Sequence, residues 1–365
     1  MRTATTKATP AGAAPDGHLT QHIRTVEQLR DHLQVAMQIE LATIPPYLTA
    51  LFSIKDGTNV EVVELIRSVV MEEMLHLTLA ANLLNAVGGT PRLTGKDATG
   101  QDIVPTFSPP GIRLPHSALH FHINIERFGR SCIRTFMEIE NPAISTSAEG
   151  DEYHSIGQFY AAIREGFVTV VDLLGEAKVF TGDKARQVTG PLYYGGGGEA
   201  FAVTRLKEAN DAIDEIVAEG EGAGDHSIWD GDGKYGQVLE LSHFCRFAEI
   251  DMERRFQAGD TLESGPTGSP FAVDWESVWP MKTDPARADW PMGSPIRARL
   301  DAFAAAYSEF LRLLEAAFTG SPARLAGLVP VMYSLKYAAL ELMRTPSGDG
   351  ETTVGPAWEY VDGSG

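Results

Sequence analysis

The sequence predicts an all-α fold, a four-helix bundle with additional helices and long loops. Stretches with apolar residues near the 3.6-residue period recur along the chain. In addition, a Glu-x-x-His pair occurs twice, as Glu73 with His76 and as Glu240 with His243. On an α-helix this spacing puts both side chains on one face. A buried carboxylate and imidazole need a partner, because an unpaired buried charge is costly, and a metal ion supplies one.

The predicted helices follow from the apolar period and from cap and stop signals. Pro45 and Pro46 predict a kink in the first helix, and Gly88-Gly89 ends the second. The segment Leu119–Ile125 alternates like a short strand. The helices are predicted at about Val26–Ile54, Val60–Ala86, Glu126–Ile139, Ser155–Leu174, Val203–Glu219, Tyr235–Phe256, Ile296–Phe318 and Pro322–Met343.

We predict that the chain consists of three regions. Residues 1–20 are rich in Ala, Thr, Pro and Gly and lack the apolar segment of a signal peptide, so we predict a disordered leader. Residues 21–345 form the predicted bundle domain with its insertions. Residues 346–365 form a Gly-rich C-terminal tail, in which the stretch from Gly355 to Trp358 is a candidate docking segment.

Composition narrows the class of protein. The chain has 365 residues and a formal charge of −19, which argues against nucleic acid or an anionic membrane surface as a partner. No uninterrupted apolar run reaches the roughly 18 residues of a membrane span. The two cysteines, Cys132 and Cys245, lie far apart, which fits a reducing compartment. We therefore expect a cytoplasmic protein with a small-molecule substrate, and homo-oligomerisation stays open.

The two halves of the chain repeat one order of carboxylates and imidazoles. In each half, a helix with a single Glu precedes a helix with Glu-x-x-His. The ferritin-like di-iron and di-manganese carboxylate bundles use this ligand recipe. Four carboxylates cancel the charge of two divalent ions, and the mixed oxygen and nitrogen set suits iron, with manganese as the alternative. The predicted metal ligands are Glu40, Glu73, His76, Glu221, Glu240 and His243.

Several other residues are considered as ligands of a metal ion or a nucleotide. His120 and His122 alternate with apolar residues, which favours one exposed strand face over a metal site. The run Gly195–Gly198 is not followed by the Lys-Ser/Thr of a phosphate loop, so nucleotide binding is unsupported. The carboxylates that could replace a predicted ligand are Glu72 in place of Glu73, and Glu165, Glu215 or Glu219 in place of Glu221.

Five stretches carry a family resemblance across residues 25–345. They are Glu40 with Ala42–Leu48, Glu72–His76, Ser155–Tyr160, Glu219–Gly222, and Leu241–Phe244 with Arg246-Phe247. In these stretches the chain resembles the ferritin-like proteins grouped with the iminophenyl-pyruvate dimer synthase of violacein biosynthesis. That family has Gln where this chain has Glu219. The resemblance implies a ferritin-like metal site in an oxidative enzyme of specialised metabolism.

We therefore expect a dinuclear non-haem iron oxidase or oxygenase that uses dioxygen on a small organic substrate, such as a derivative of an aromatic amino acid. Tyr47 and Tyr160 are candidate catalytic residues in the wall of the pocket. The alternatives are a manganese catalase-like enzyme, a ferritin-like metal-binding protein without catalysis, and a bundle whose Glu and His side chains satisfy one another. The long segments 90–200 and 258–345 favour a substrate pocket over a storage subunit.

Overall fold

The computed structural model describes residues 19–97, 100, 102–107, 109–142, 147–193, 197–222, 227–230 and 240–362. The predicted leader, 1–20, lies outside these ranges except for its last two residues. Helices joined by loops make up the described chain, and the β-pairing recorded within it is confined to isolated bridges. The prediction of an all-α protein is confirmed.

The first two helices form the centre of the bundle. Helix α1 is Val26–Ser53 and helix α2 is Val60–Ala86, close to their predicted bounds. A capping box starts α1, in which Thr25 and Gln28 each accept a hydrogen bond from the backbone N–H of the other. The helix then continues through its two prolines. Both helices are buried over most of their length, and the polar side chains on their buried faces, such as Glu40 and Glu73, lie inside the protein.

The remaining helices surround this pair. Helices α4 and α6 pack on each other. Helix α4 also packs against α1, and α6 against α2. Helix α3 packs on α7, and α7 also contacts α2 and α6. The hairpin of α8 and α9 covers the outer side of α1 and α2. These helices are α3 (Arg130–Ile139), α4 (Ile156–Leu174), the single turn α5 (Glu176–Val179), α6 (Leu206–Glu221), α7 (His243–Met252), α8 (Pro295–Phe318) and α9 (Leu328–Met343).

The largest difference from the predicted helices concerns α7. The helix predicted from Tyr235 begins only at His243 in the structure. Residues 240–242 instead pair antiparallel with residues 228–230, where the Asp230 N–H donates to the Glu240 carbonyl. Because this pairing uses the backbone groups that a helical turn would need, Glu240 is not on the helix. The prediction that it shares a helical face with His243 is therefore wrong.

Smaller differences occur at other boundaries. The predicted strand Leu119–Ile125 forms a single bridge, between Ile123 and Ile112. Helix α3 begins at Arg130, later than predicted, and a 3-10 helix over Pro322–Gly327 replaces the first turns predicted for α9. Local apolar patterns indicate these elements but leave their ends to tertiary packing.

The C-terminal segment completes the core. Trp358 is 2% exposed, and its indole N–H donates to the Thr49 hydroxyl at 2.8 Å. Its ring packs edge-on against Phe303 and Tyr307 of α8. The candidate docking segment thus packs between α1 and α8.

Two segments are long and apolar enough to cross a membrane by length and composition, Val26–Ser53 and Pro322–Met343. The apolar window of the first is 78% buried within the protein, as is usual for the central helix of a bundle, and that of the second is 28% buried. Length and composition alone are weak evidence for a span, because core helices pass the same test.

Candidate metal centre

Carboxylates and imidazoles from several helices meet in the interior of the bundle. Each of the side chains is at most 4% exposed. They come from α1, α2, α6 and α7, together with the residue that follows α3. This group, which we term the Glu/His cluster, consists of Glu40, Glu72, Glu73, His76, Glu140, Glu219 and His243.

The His76 imidazole joins three helices. Its Nε2 lies 2.6 Å from Oε2 of Glu219 on α6, and its Nδ1 lies 3.7 Å from one oxygen each of Glu40 on α1 and Glu73 on α2. Its ring stacks on that of His243, with 5.3 Å between the centroids. The two predicted histidines are therefore neighbours in one site.

The His243 imidazole is arranged in the same way. Its Nε2 lies 2.8 Å from Oε2 of Glu72, while its Nδ1 lies 3.0 Å from Oε1 of Glu73 and 3.6 Å from Oε2 of Glu140. Glu73 thus lies near the Nδ1 atoms of both imidazoles. Glu73, His76 and His243 each offer a ligand atom, and these atoms lie within 4.8 Å of one another. The described residues therefore include a buried group that could hold a metal ion.

The two Nδ1 atoms and the two Nε2 atoms have different surroundings. Each Nε2 has one close carboxylate behind it, which favours an N–H at that nitrogen and leaves the Nδ1 lone pair free. His243 Nδ1 and Glu219 Oε1 are buried and make no hydrogen bond with any described residue. Since an unsatisfied buried polar atom is costly, a cation near the Nδ1 atoms fits this site.

The structure brings some predicted ligands together and leaves others out. Glu40, Glu73, His76 and His243 belong to the cluster. The Glu240 side chain is 48% exposed, and its carboxylate lies 3.1 Å from the Arg246 guanidinium. It is outside the cluster because α7 begins after it.

The structure tests only some of the carboxylates considered for the second half. Glu221 ends α6, but its side chain lies outside the described residues. Glu219, two residues earlier, contacts His76. Glu215 is buried near Glu219, and the reserve candidate Glu165 is exposed on α4. Helical periodicity alone could not choose between positions so close together.

Sequence reasoning missed Glu140 altogether. It caps the C-terminal end of α3, and its Oε1 accepts a hydrogen bond from the Tyr47 hydroxyl at 2.5 Å. No imidazole lies three or four residues away in the sequence, so the usual helical signal is missing. The only local hint is a carboxylate directly after the apolar face formed by Phe136 and Ile139.

Arg246 balances part of the negative charge. It is 2% exposed, and its Nη1 donates to Oε1 of Glu72 at 2.7 Å and to the Ser68 hydroxyl at 2.8 Å. Its Nε donates to the Leu241 carbonyl. The five cluster carboxylates outnumber this one guanidinium, which also lies 3.1 Å from Glu240. The excess of negative charge in the cluster therefore suits divalent cations.

Burial and mutual proximity shift the pKa values in the cluster. Burial raises the pKa of Glu73 to about 7, with a contribution from Glu140, and it raises the pKa of Glu219 to about 8, against the effect of His76. Burial disfavours both imidazolium ions, but hydrogen bonds to the carboxylates raise the pKa of His76 and of His243 well above the usual range. Protons and metal cations therefore compete for the same buried atoms.

Hydroxyl groups hold the carboxylates in place. The Tyr160 hydroxyl donates to Oε1 of Glu40 at 2.6 Å, and the Thr43 hydroxyl donates to Oε2 of Glu73 at 2.6 Å. Burial and the nearby carboxylates raise the pKa of Tyr47 and of Tyr160 well above the usual value. Both phenols therefore stay protonated, and both predicted tyrosines act on cluster carboxylates as hydrogen-bond donors.

Two glycines pack directly on the cluster. A Cβ atom on Gly197 would lie 2.5 Å from the Glu72 side chain. Gly198 has φ +129°, and its Cβ would lie 2.6 Å from Leu75 and 3.3 Å from Oε1 of Glu219. Only glycine allows the backbone to approach α2 and α6 this closely. These residues of the glycine-rich loop therefore cover the site and exclude water from that side.

Comparisons with known proteins identify the family and the fold. A family model described as Ferritin-like matches residues 33–252, a range that contains every residue of the Glu/His cluster. A crystal structure of a ferritin like protein from Caulobacter vibrioides is similar, with a TM-score of 0.64 and 25% identity over 93% of this chain and 100% of that chain. No curated protein matches. Because the family model matches more than half of this chain, the chain belongs to the ferritin-like family.

Proposed function

We propose that the Glu/His cluster binds two divalent metal ions, iron or alternatively manganese, and that the protein is a dinuclear non-haem oxidoreductase. The observation that carries this proposal is the stacked pair of imidazoles with Glu73 beside both Nδ1 atoms. One ion would be held near His76 and Glu40. The other would be held near His243 and Glu140, with Glu73 available to both.

Glu219 and Glu72 would have a different task from the ligands. Each lies behind the Nε2 atom of one imidazole, where a carboxylate accepts the N–H and orients the ring. Arg246 in turn neutralises Glu72. These supporting carboxylates set the tautomer in which Nδ1 can bind a cation.

When bound, a pair of iron ions supplies redox chemistry with dioxygen. The residues of the chain orient the metal ligands and shield the site. Tyr160 and Tyr47 orient Glu40 and Glu140 through their hydroxyl protons, and apolar helices together with Gly197 and Gly198 keep water out. The site is thus prepared to oxidise a small organic substrate.

The substrate class rests on the resemblance to the proteins grouped with the iminophenyl-pyruvate dimer synthase. That resemblance favours a compound derived from an aromatic amino acid, processed in specialised metabolism. The loops outside the central bundle offer more lining surface than a storage subunit needs. Dioxygen and this small molecule are the proposed partners.

Elemental analysis of protein purified without added metal, followed by oxygen-electrode measurements, tests the proposal. We expect about two iron ions per chain, with oxygen uptake only when substrate is added. Two manganese ions with rapid peroxide breakdown would instead assign the catalase-like reaction. Metal binding without turnover of any aromatic substrate would assign a binding protein.

Matched variants identify the site. His76→Ala and His243→Ala should each remove stoichiometric metal, because each takes away an Nδ1 ligand. His154→Ala is the control, since that imidazole is 67% exposed and pairs only with Glu149 among the described residues. Full metal content in both cluster variants would refute the ligand assignment.

A further inference from the structure

A cavity lies on the side of the α1–α2 pair opposite the Glu/His cluster. It has a volume of about 390 Å³ and is bounded by α1, α2, α8 and α9. On α2, Val70 and Met74 line this cavity, whereas Glu73 and His76 face the cluster. Because these positions lie on different faces of one helix, α2 separates the two sites.

The cavity opens to solvent, because Met332 and Tyr333 in its wall are 44% and 55% exposed. Its volume lies within the range of about 300–1,000 Å³ of small-molecule sites. Its walls are mainly aliphatic and aromatic, with Ile44 and Leu48 of α1 opposite Phe310 of α8. An apolar molecule placed there would lie against the apolar side chains of α1, α2 and α8.

Two cations line the same cavity, Arg67 from α2 and Lys336 from α9. Both side chains are exposed, neither forms an ion pair with a residue that the structure describes, and none of the lining residues is acidic. This arrangement is unusual in a chain with a formal charge of −19. Apolar walls with two available cations complement a molecule that has an apolar body and one anionic end.

We propose that this cavity binds a hydrophobic carboxylic acid. The apolar body lies between the two helical hairpins, and the carboxylate lies at Arg67 and Lys336. The exposed apolar side chains of α9 beside the cavity, such as Met332 at 44% exposure, provide the entry surface. The proposal concerns binding alone and does not depend on the metal centre.

Calorimetric titration of the full chain with octanoate, decanoate and dodecanoate, and with the alcohols of equal length, tests this proposal. Affinity should rise about fourfold for each methylene group that becomes buried. Each acid should bind more tightly than its alcohol. Equal binding of acid and alcohol, or no binding of dodecanoate, would overturn the proposal.

Variants of the protein test separately the contacts to the carboxylate and to the apolar body of the ligand. Arg67→Gln combined with Lys336→Gln should remove the preference for acid over alcohol while alcohol binding persists. Leu48→Trp should fill the cavity and weaken both ligands at least tenfold. Lys178→Gln, which changes an exposed lysine outside the cavity, is the control and should bind as the parent chain does.

A membrane surface is the competing occupant of the exposed face of α9. Sedimentation with vesicles of phosphatidylcholine and phosphatidylglycerol distinguishes it from a soluble ligand. We expect the chain to stay in the supernatant at physiological salt. Vesicle binding that is lost in Met332→Ser, with no calorimetric response to the acids, would assign the face to lipid and overturn the proposal.

Discussion

Replacing Arg246 by Met tests how charge is balanced in the Glu/His cluster. The guanidinium is buried, donates to Glu72 at 2.7 Å, and has Ser68 and the Leu241 carbonyl as further partners. Methionine fills a similar volume but leaves the Glu72 carboxylate buried without its cation. Breaking a buried ion pair in this way costs about 3–5 kcal/mol.

A double-mutant cycle with Glu72→Gln isolates the ion pair. Removing both charges should recover about half of the loss or more, because no unpaired carboxylate remains. Urea denaturation in the presence of a chelator measures each free energy of unfolding. If the double variant is as unstable as the sum of the single variants, Glu72 and Arg246 do not act as a pair, and our charge balance for the cluster is refuted.

Three further predictions concern other contacts. Tyr160→Phe removes the donor to Glu40 and should weaken metal binding about 10–100-fold in a competition titration, whereas the exposed Tyr337→Phe should leave it unchanged. Metal affinity should fall as the pH is lowered through about 7, the pKa of Glu73, since a proton then occupies this shared ligand; a flat affinity from pH 8 to 6 would contradict this. Trp358→Ala should lower the free energy of unfolding by about 3–5 kcal/mol, and a loss below 1 kcal/mol would mean that the C-terminal segment does not belong to the core.

The central hairpin could be predicted from the sequence because its signals are local. The apolar period and the Gly88-Gly89 stop are both read within a few residues. The pairing of Glu73 with His76 on one face follows from helix geometry alone. Their burial follows in turn, because apolar residues flank them on both sides.

The second half of the site depends on contacts that are distant in sequence. Pairing of residues 240–242 with 228–230 delays the start of α7 and moves Glu240 out of the cluster. Packing of α3 on α7 brings Glu140 to His243, which lies about a hundred residues later in the chain. Such contacts leave no periodic pattern in the sequence. The position of Glu240 outside the cluster and that of Glu140 inside it could therefore not be derived from local spacing.

The choice among the carboxylates on α6 could not be settled from the sequence for a related reason. Aligning the two halves favoured Glu221, whose side chain lies outside the described residues, while the alternative Glu219 contacts His76. Two residues on a helix differ in direction by about 200°, so a small error in the alignment selects a different face. The resemblance between the halves indicates the type of ligand but leaves its position undecided.

Anomalous diffraction from crystals loaded anaerobically with ferrous iron tests the central claim most directly. We predict two iron peaks inside the Glu/His cluster, one within bonding distance of the His76 Nδ1 and one within bonding distance of the His243 Nδ1, with Glu73 beside both. Iron bound elsewhere, or a cluster that stays metal-free at saturating iron, would contradict the assignment of this site as a dinuclear metal centre.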